Sequence, residues 1–139
     1  MAPPFEGVIG GANYYWEQEK TSAAAKRLND AYRAKHGGAV PSDYAAYGFA
    51  GIYGLLEGVK KAGTSDTDAV IAAMEALKYD AYKGEQYFRK CDHQSVQSVV
   101  VLESKPDSQV KAKTDIFNIV ATEPGSENRL RSCQELGHG

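Results

Sequence analysis

Apolar residues recur at three- and four-residue spacing in three stretches of the chain, a period that predicts three amphipathic helices. The first helix is expected over Ser22–His36 and ends at Gly37. The third is expected to begin at Ser65, with Asp68 completing a start that resembles a capping box. The apolar faces of these two helices comprise Ala24, Leu28, Ala31 and Tyr32 in the first, and Val70, Ile71, Met74 and Leu77 in the third.

The second predicted helix spans Tyr44–Lys61 and carries a long apolar stripe. Ser42 or Asp43 can cap its N-terminus by accepting a hydrogen bond from a first-turn N–H group, and Gly63 ends it. Each glycine inside a helix costs about 1 kcal/mol relative to alanine, so four of them predict close packing against a sheet or another helix. The stripe comprises Tyr44, Tyr47, Gly48, Gly51, Ile52, Leu55 and Val59.

Short apolar runs bounded by turn residues predict three strands. They cover Phe5–Ile9, Val96–Leu102 and Ile116–Val120. The strands of a parallel sheet are usually covered on both faces and therefore read as nearly continuous apolar runs. Helices combined with strands of this kind predict an α/β fold in which helices flank a mostly parallel sheet.

Composition excludes several classes of function. The 139 residues carry a formal net charge of -2 and are 42% hydrophobic, as in a globular domain, with no basic excess that would predict binding to nucleic acid. The sequence contains no apolar run long enough for a membrane span and no recognisable signal peptide. A phosphate-binding glycine motif, a nucleophile elbow and suitably spaced paired carboxylates are also missing, so we expect neither an enzyme nor a cofactor.

The segment "RKCDHQSVQS" places a cysteine and a histidine side by side, and a second such pair lies near the end of the chain. Cys91, His93, Cys133 and His138 could together supply two thiolates and two imidazoles to a tetrahedral zinc ion, although Cys-x-His is not a usual spacing for structural zinc. Cys91 with His93 is a poor nucleophile–base pair, because residues two apart leave no orienting third group in sight.

Two long segments resemble a known family. "PSDYAAYGFAGIYGLLEGVKKAGTSDTDAVIAAMEAL" and "YKGEQYFRKCDHQSVQSVVVLESKP" are similar in order and spacing to type I periplasmic binding proteins. The likeness is to the substrate-binding components of branched-chain amino acid (leucine/isoleucine/valine-type) ABC transporters. Family members are more than twice as long, and the resemblance covers only their last portion.

The resemblance implies part of a two-lobed, Venus-flytrap fold that closes over a small ligand, because a ligand touching both lobes favours the closed state. The chain would divide into a strand and hinge entry (1–16), a helical lobe segment (17–95), and returning strands with a tail (96–139). The implied function is capture of a branched-chain or other small amino acid, or a related carboxylate, and its delivery to a permease from the periplasm. A ligand-sensing receptor of the same fold is the alternative.

Four aromatic residues are the expected ligand contacts under this resemblance. Tyr15 and Trp16 would lie near the hinge, and Tyr44 and Tyr47 would approach the mouth of the cleft. Each also has a plainer interpretation: Tyr47 as a core residue, and Tyr15 with Trp16 as an apolar loop packed on the lobe. Without the rest of the fold, we expect the chain to pair with a second copy or with the remainder of its parent chain.

The resemblance also bears on the cysteines, because a periplasmic location permits disulfides. Two cysteines in such a protein make one bridge, so we expect a disulfide between Cys91 and Cys133 rather than a zinc site. The bridge would tie the polar tail to the start of the strand that follows Gln94. Asp92, His93 and Gln94 would then be turn formers.

Overall fold

The computed structural model describes residues 5–138, and all three predicted helices are present in it. Ser22 caps the first helix and Ser42 the second, each accepting a hydrogen bond from the backbone N–H group three residues ahead. The second helix ends at Gly63, which adopts the left-handed conformation with φ 69° that a C-terminal glycine permits. The helices are α1 (Ala23–Lys35), α2 (Asp43–Ala62) and α3 (Thr67–Glu75).

The start of α3 differs from the prediction. Asp66, not Ser65, is the N-cap, and its carboxylate accepts a hydrogen bond from the N–H group of Ala69 at 3.0 Å. The capping box expected at Ser65 is therefore wrong by one residue, because the next position also carries a strong capping side chain. The predicted apolar face is only partly buried: Val70 is 8% exposed, whereas Ile71 is 41% exposed.

The strands form two small antiparallel sheets. In the first sheet β5 lies between β1 and β6, and in the second β3 lies between β2 and β4. Every described strand pair is antiparallel, so the mostly parallel sheet expected from the apolar runs is not observed in residues 5–138. The strands are β1 (Ile9–Ala12), β2 (Lys78–Tyr79), β3 (Gln86–Phe88), β4 (Ser95–Val96), β5 (Val99–Ser104) and β6 (Phe117–Glu123).

Strand boundaries were less predictable than helix boundaries. The strand predicted at Phe5–Ile9 is wrong, since β1 only begins at Ile9 and runs through the two glycines that follow. The single strand predicted over Val96–Leu102 is divided into β4 and β5. Hydrogen bonds to β5 decide these boundaries, because Ile9 pairs with Glu103, and such long-range pairing leaves little trace in a local pattern.

Two apolar cores lie on either side of the segment that joins β1 to α1. The helical core contains the T-shaped ring pair Tyr14–Tyr82, with centroids 5.1 Å apart. The sheet core packs Tyr15 against Val100 and Leu102, with Phe117 at its edge. Trp16 contacts both cores, so this short segment physically connects the helices to the first sheet.

Helix α2 packs inward through its small residues. Its buried positions are Ala46, Ala50, Gly54 and Gly58, at a strict four-residue spacing. A Cβ atom at Gly58 would lie 2.4 Å from the Met74 side chain of α3, so the predicted close packing is confirmed there. The large apolar side chains of α2 instead point outward, as Ile52 and Leu56 are each 61% exposed. We call this outward surface the α2 outer face, formed by Tyr44, Tyr47, Ile52, Leu55 and Leu56.

The tail is fastened to the second sheet by the predicted disulfide. Cys91 and Cys133 are bonded, with Cα atoms 6.1 Å apart, and the bridge closes a segment 42 residues long. The buried guanidinium of Arg89 supports it by donating to the carbonyl of Arg131 at 2.8 Å and by pairing with Asp92. In the chain-entropy account, closing a loop of this length stabilises the fold by about 4 kcal/mol.

Two glycine substitutions on α2 should have opposite effects on stability. Gly51→Ala should raise the free energy of unfolding by about 0.5–1 kcal/mol, because open space surrounds the new methyl group and alanine favours the helix. Gly58→Ala should lower it by about 1–3 kcal/mol, because the methyl group collides with Met74. Urea denaturation of both variants tests this, and equal effects at the two positions would contradict the packing described.

Candidate functional site

A polar cluster lies where the N-terminus of α2 meets the turn between β2 and β3 and the end of β1. We call it the Tyr82–Lys83 cluster; its members are Asn13, Asp43, Tyr47, Tyr82 and Lys83. The Lys83 ammonium donates to the backbone carbonyl of Asn13 at 2.8 Å and sits 5.4 Å from the centre of the Tyr82 ring. Asp43 and Tyr47 are close enough to act electrostatically on Tyr82. Three separate segments of the chain therefore meet at this point.

The turn that carries Tyr82 and Lys83 is held by hydrogen bonds from distant elements. Ser22, the cap of α1, donates through its hydroxyl to the carbonyl of Tyr82 at 3.0 Å. Ser98, just before β5, donates to the carbonyl of Lys83 at 3.0 Å. Gly84 has a φ of 97°, a conformation that favours glycine, and donates its N–H to Asp80. The cluster is thus built on backbone that is fixed on both sides.

Burial perturbs the titration of the cluster. It lowers the pKa of Lys83 to about 8, and nearby Asp43 partly opposes this shift by favouring the charged form. Burial also raises the pKa of Tyr82 and of Tyr47, with Asp43 contributing in both cases. Perturbed groups of this kind are concentrated at functional sites, although structural clusters show them too.

Two buried oxygen atoms of the cluster have no hydrogen-bond partner among residues 5–138. They are Oδ1 of Asp43 and the hydroxyl oxygen of Tyr82, whose side chain is fully buried. An unpaired buried polar atom costs about 1–3 kcal/mol, so native proteins usually satisfy such atoms with protein, water or ligand. Both atoms are inaccessible to solvent, so a polar group from outside the described residues would reach them only if neighbouring side chains moved.

Two of the expected ligand contacts are found here: Tyr47 is a member of this cluster, and Tyr44 lies beside it at the start of α2. Tyr44 is 85% exposed on the first turn of α2, and Tyr47 is 39% exposed one turn later. The expected alternative for Tyr47, a fully packed core position, does not match this exposure. Both rings stand at the helix N-terminus, where the backbone N–H groups favour negative charge.

The other two, Tyr15 and Trp16, lie in the segment between the cores. The hydroxyl of Tyr15 donates to the carbonyl of Thr114 at 2.9 Å and accepts from the N–H group of Phe117 at 3.2 Å. The indole N–H of Trp16 donates to the same carbonyl of Thr114 at 2.8 Å. Because Tyr15 is 8% exposed and its hydroxyl has partners for both roles, only its ring edge is open to a further contact. The structure thus does not bring the four aromatic residues together.

Two cavities lie nearby, and of the four expected contacts only Trp16 lines either of them. One of about 700 Å³ borders the cluster at Lys83 and Asp80 and extends to Ser22 and Arg27. A second of about 780 Å³ is lined by Trp16, together with Lys20, Lys105 and Thr114. Both volumes fall in the range of about 300–1,000 Å³ that small-molecule sites occupy.

The cysteine–histidine segments have a structural role. Both sulfur atoms are in the disulfide, and among residues 5–138 no group of three or more His, Cys, Asp and Glu side chains is arranged to hold a metal ion. His93 adopts a φ of 55°, as expected of a turn former, and its Nε2 lies 3.0 Å from a carboxylate oxygen of Glu75. Asp92 also acts in the turn, since its carboxylate accepts from the N–H group of Gln94.

Sequence reasoning missed the residues at the centre of the cluster. Asp43 is expected from sequence only as a helix cap, and neither Tyr82 nor Lys83 is among the expected contacts. A lysine beside a glycine ordinarily indicates an exposed turn, and only tertiary packing shows that Lys83 is 8% exposed. The polar anchors at Ser22 and Ser98 are equally invisible to a local pattern.

Comparison with known proteins identifies the class to which this architecture belongs. A family model for periplasmic binding proteins matches residues 1–109, which is most of the chain. The chain therefore belongs to the periplasmic binding protein family, whose fold serves solute binding. No curated protein gives a significant match.

Several solved structures of binding proteins are similar to this chain. A periplasmic binding protein from Burkholderia mallei is 28% identical with a TM-score of 0.75, over 94% of this chain and 33% of that protein. An ABC-type branched-chain amino acid transporter protein from Rhodopseudomonas palustris CGA009 is also 28% identical, with a TM-score of 0.73, over 86% of this chain and 31% of that one.

A third similar structure contains a bound ligand. It is an ABC transporter solute-binding protein from Rhodopseudomonas palustris BisB5 in complex with 3,4-dihydroxybenzoic acid, 25% identical with a TM-score of 0.73, over 93% of this chain and 34% of that protein. The chain thus spans about a third of the length of these proteins. The helices and sheets described here therefore correspond to one part of the fold of these longer proteins.

Stability should depend on pH through Lys83. Its pKa of about 8 lies below the unfolded value of about 10.4, so between these values the unfolded chain binds more protons and stability rises with pH. Urea denaturation between about pH 8 and about pH 9.5, below tyrosine titration, should show this rise. Lys83→Met should abolish the rise, whereas Lys35→Met, at an exposed position, should retain it. An unchanged rise in Lys83→Met would show that the lysine is not buried as described.

Proposed function

We propose that the protein carrying this chain is the substrate-binding component of an ABC transporter. It captures a branched-chain or other small amino acid, or a related carboxylate, in a cleft between two lobes and presents the closed form to a membrane permease. The similarity of 28% over most of the chain to a branched-chain amino acid transporter protein is the observation that carries this proposal. Binding without catalysis is the activity, and the periplasm is the location that the family implies.

The division of the chain follows from the same proposal. Residues 1–16 would enter the hinge, residues 17–95 would form a segment of one lobe, and residues 96–139 would return through the hinge and end in the tail. The pairing of β1 with β5 and of β5 with β6 supports this, because it places the proposed crossing segments in one sheet. No helix among the described residues has the length and hydrophobicity to cross a bilayer.

The proposed contribution of this chain to the cleft is the Tyr82–Lys83 cluster with Tyr44 and Tyr47. The half-buried carboxylate of Asp43 would meet the amino group of a ligand, and the two exposed rings would cover its apolar part. Trp16 and the ring of Tyr15 would contact ligand from the hinge side. Since the chain spans a third of its structural relatives, further contacts would come from outside residues 1–139.

Ligand binding should raise the melting temperature of purified protein that carries this chain. Leucine, isoleucine, valine, other amino acids and small aromatic acids form the test panel, because a ligand that binds only the folded state stabilises it. For whichever compound binds, Tyr44→Ala and Tyr47→Ala should each weaken calorimetric affinity by about tenfold through loss of ring contact. Tyr87→Ala, whose ring lies on β3 and whose hydroxyl bonds to Glu127, is the matched control. Stabilisation by sugars or nucleotides alone would contradict the proposed substrate class.

The α2 outer face is the surface through which we expect this chain to contact a partner. Its exposed side chains form an apolar surface larger than single scattered residues would give, and such surfaces usually mark an interface. We propose that in the two-lobed protein the remainder of the fold covers this face. When the chain is produced alone, a second copy would take that place.

The 139-residue chain on its own should therefore self-associate. Light scattering behind size exclusion should show species heavier than 15.0 kDa, and an apolar dye should bind. The double variant Ile52→Glu and Leu56→Glu should shift the chain toward monomer, because it places charge on the face. Ile71→Glu, at an exposed apolar position on α3, is the matched control and should change little. A monodisperse monomer that binds no dye would contradict the proposed self-association.

A further inference from the structure

A groove runs between α1 and α2, and it shares Ala24, Arg27 and Asp80 with the cavity that borders Lys83. It has a volume of about 370 Å³, and the buried side chains of Leu28 and Ala81 form its floor. Ala81 lines this groove, and its neighbour Tyr82 belongs to the cluster. We refer to it as the α1–α2 groove, with Tyr32, His36, Phe49 and Tyr53 as its aromatic walls.

The walls of the groove are two stacked ring pairs, one on each helix. Tyr32 and His36 stack with centroids 4.0 Å apart and planes inclined by 25°. Phe49 and Tyr53 stack with centroids 5.6 Å apart and planes inclined by 28°. Stacking within each pair fixes the ring orientations, so the walls are ordered before anything enters. Flat apolar groups pack well between such surfaces.

The charges at the rim favour an anion. Arg27 and Lys35 both line the groove, and neither side chain has a hydrogen bond or an ion pair with any residue between 5 and 138. Asp80 also reaches the rim and accepts a hydrogen bond from the N–H group of Gly84 at 2.9 Å, so these three side chains give the rim a formal charge of +1 (two cations and one carboxylate). Two unpaired cations beside an apolar interior complement a molecule with one apolar and one negatively charged end.

Helix geometry decides which cation a single carboxylate would meet. Arg27 and Lys35 are eight residues apart, which places them about 12 Å from each other along α1. Lys35 lies in the last turn, where the helix carbonyls disfavour an anion. Arg27 lies in the N-terminal half, and its planar guanidinium can hold both oxygens of a carboxylate. The arrangement therefore assigns the carboxylate to Arg27 and the apolar body to the aromatic walls.

We propose that the α1–α2 groove is a second binding site, for a small carboxylate with a flat apolar body, distinct from the cleft of the proposed transporter function. The volume of about 370 Å³ lies at the lower end of the range for small-molecule sites, which suits a ligand with a single ring. Its occupant lies against Ala81, and the next two residues carry Tyr82 and Lys83. Binding in the groove would thus steady the segment that builds the cluster.

The test uses 3-phenylpropionate as the probe and the 139-residue chain as the protein. Saturable one-to-one binding is expected by calorimetry, and amide shifts in NMR spectra should centre on α1 and α2. The alcohol 3-phenylpropanol and the amine 3-phenylpropylamine have the same ring and nearly the same length. Each should bind about tenfold more weakly or worse, because neither offers a negative charge to Arg27. Equal or tighter binding of the amine would overturn the assigned ligand class.

Two pairs of variants locate the site. Ala31→Phe fills the groove from an exposed position of α1 and should abolish binding, whereas Ala34→Phe, also exposed on α1, should not. Arg27→Gln should weaken binding by about tenfold, and Lys26→Gln, on the same turn outside the groove, should leave it unchanged. Circular dichroism checks that each variant is folded.

The outcome is separable from that of the cleft proposal. Tyr44→Ala changes the proposed cleft but does not touch the groove, so it should leave binding of 3-phenylpropionate intact. Loss of binding in Tyr44→Ala with retention in Ala31→Phe would place the probe in the cleft and overturn the second site. Absence of saturable binding, or equal effects of Ala31→Phe and Ala34→Phe, would overturn it as well.

Discussion

The turn at Tyr82 and Lys83 is the point on which the rest of this structure depends. Its backbone carbonyls accept hydrogen bonds from the serine that caps α1 and from the serine that precedes β5. Its side chains pack into the helical core and hold the end of β1 through the lysine ammonium. If the turn moved, the helices and the first sheet would lose the contacts that fix their relative position. The polar groups that fix it are therefore as important to the fold as the apolar contacts around them.

The contacts that fix this turn also explain why Lys83 can be buried in it. Desolvation disfavours the charged ammonium, and the lowered pKa of Lys83 reports that cost. The cost is offset by a hydrogen bond to a backbone carbonyl, an aromatic face and a nearby carboxylate. A helix N-terminus with unpaired polar atoms stands next to it. The region is thus held rigidly while two of its buried oxygen atoms lack a hydrogen-bond partner among residues 5–138.

The helices were predictable from sequence because their signals are local. Ser22, Ser42 and Gly63 mark helix ends through contacts within four residues, and these predictions are confirmed. The disulfide followed from the family resemblance and the number of cysteines, and it is confirmed as well. The strands were predicted less well, since β1 is defined by pairing across more than 80 residues. The resemblance to periplasmic binding proteins identified the family where periodicity alone could not.

The candidate site was only partly predictable for the same reason. Tyr44 and Tyr47 stand out in sequence as aromatic residues at a helix start, and their role as ligand contacts remains a prediction. Tyr82 and Lys83 acquire their properties from burial among segments that are far apart in sequence. No local pattern distinguishes a buried lysine in a turn from an exposed one.

The strip of alanine and glycine along α2 restricts how this helix can evolve. Ala46, Ala50, Gly54 and Gly58 are buried, and even a methyl group at Gly54 or Gly58 would collide with Tyr79 of β2 or Met74 of α3. The opposite face meets no such limit within the described residues, so its side chains are constrained only by what covers it in the complete protein. Substitutions on the outer face of α2 would therefore change what that face contacts without disturbing the packing of the helix against α3 and β2. One helix thus combines a fixed attachment with a surface open to divergence.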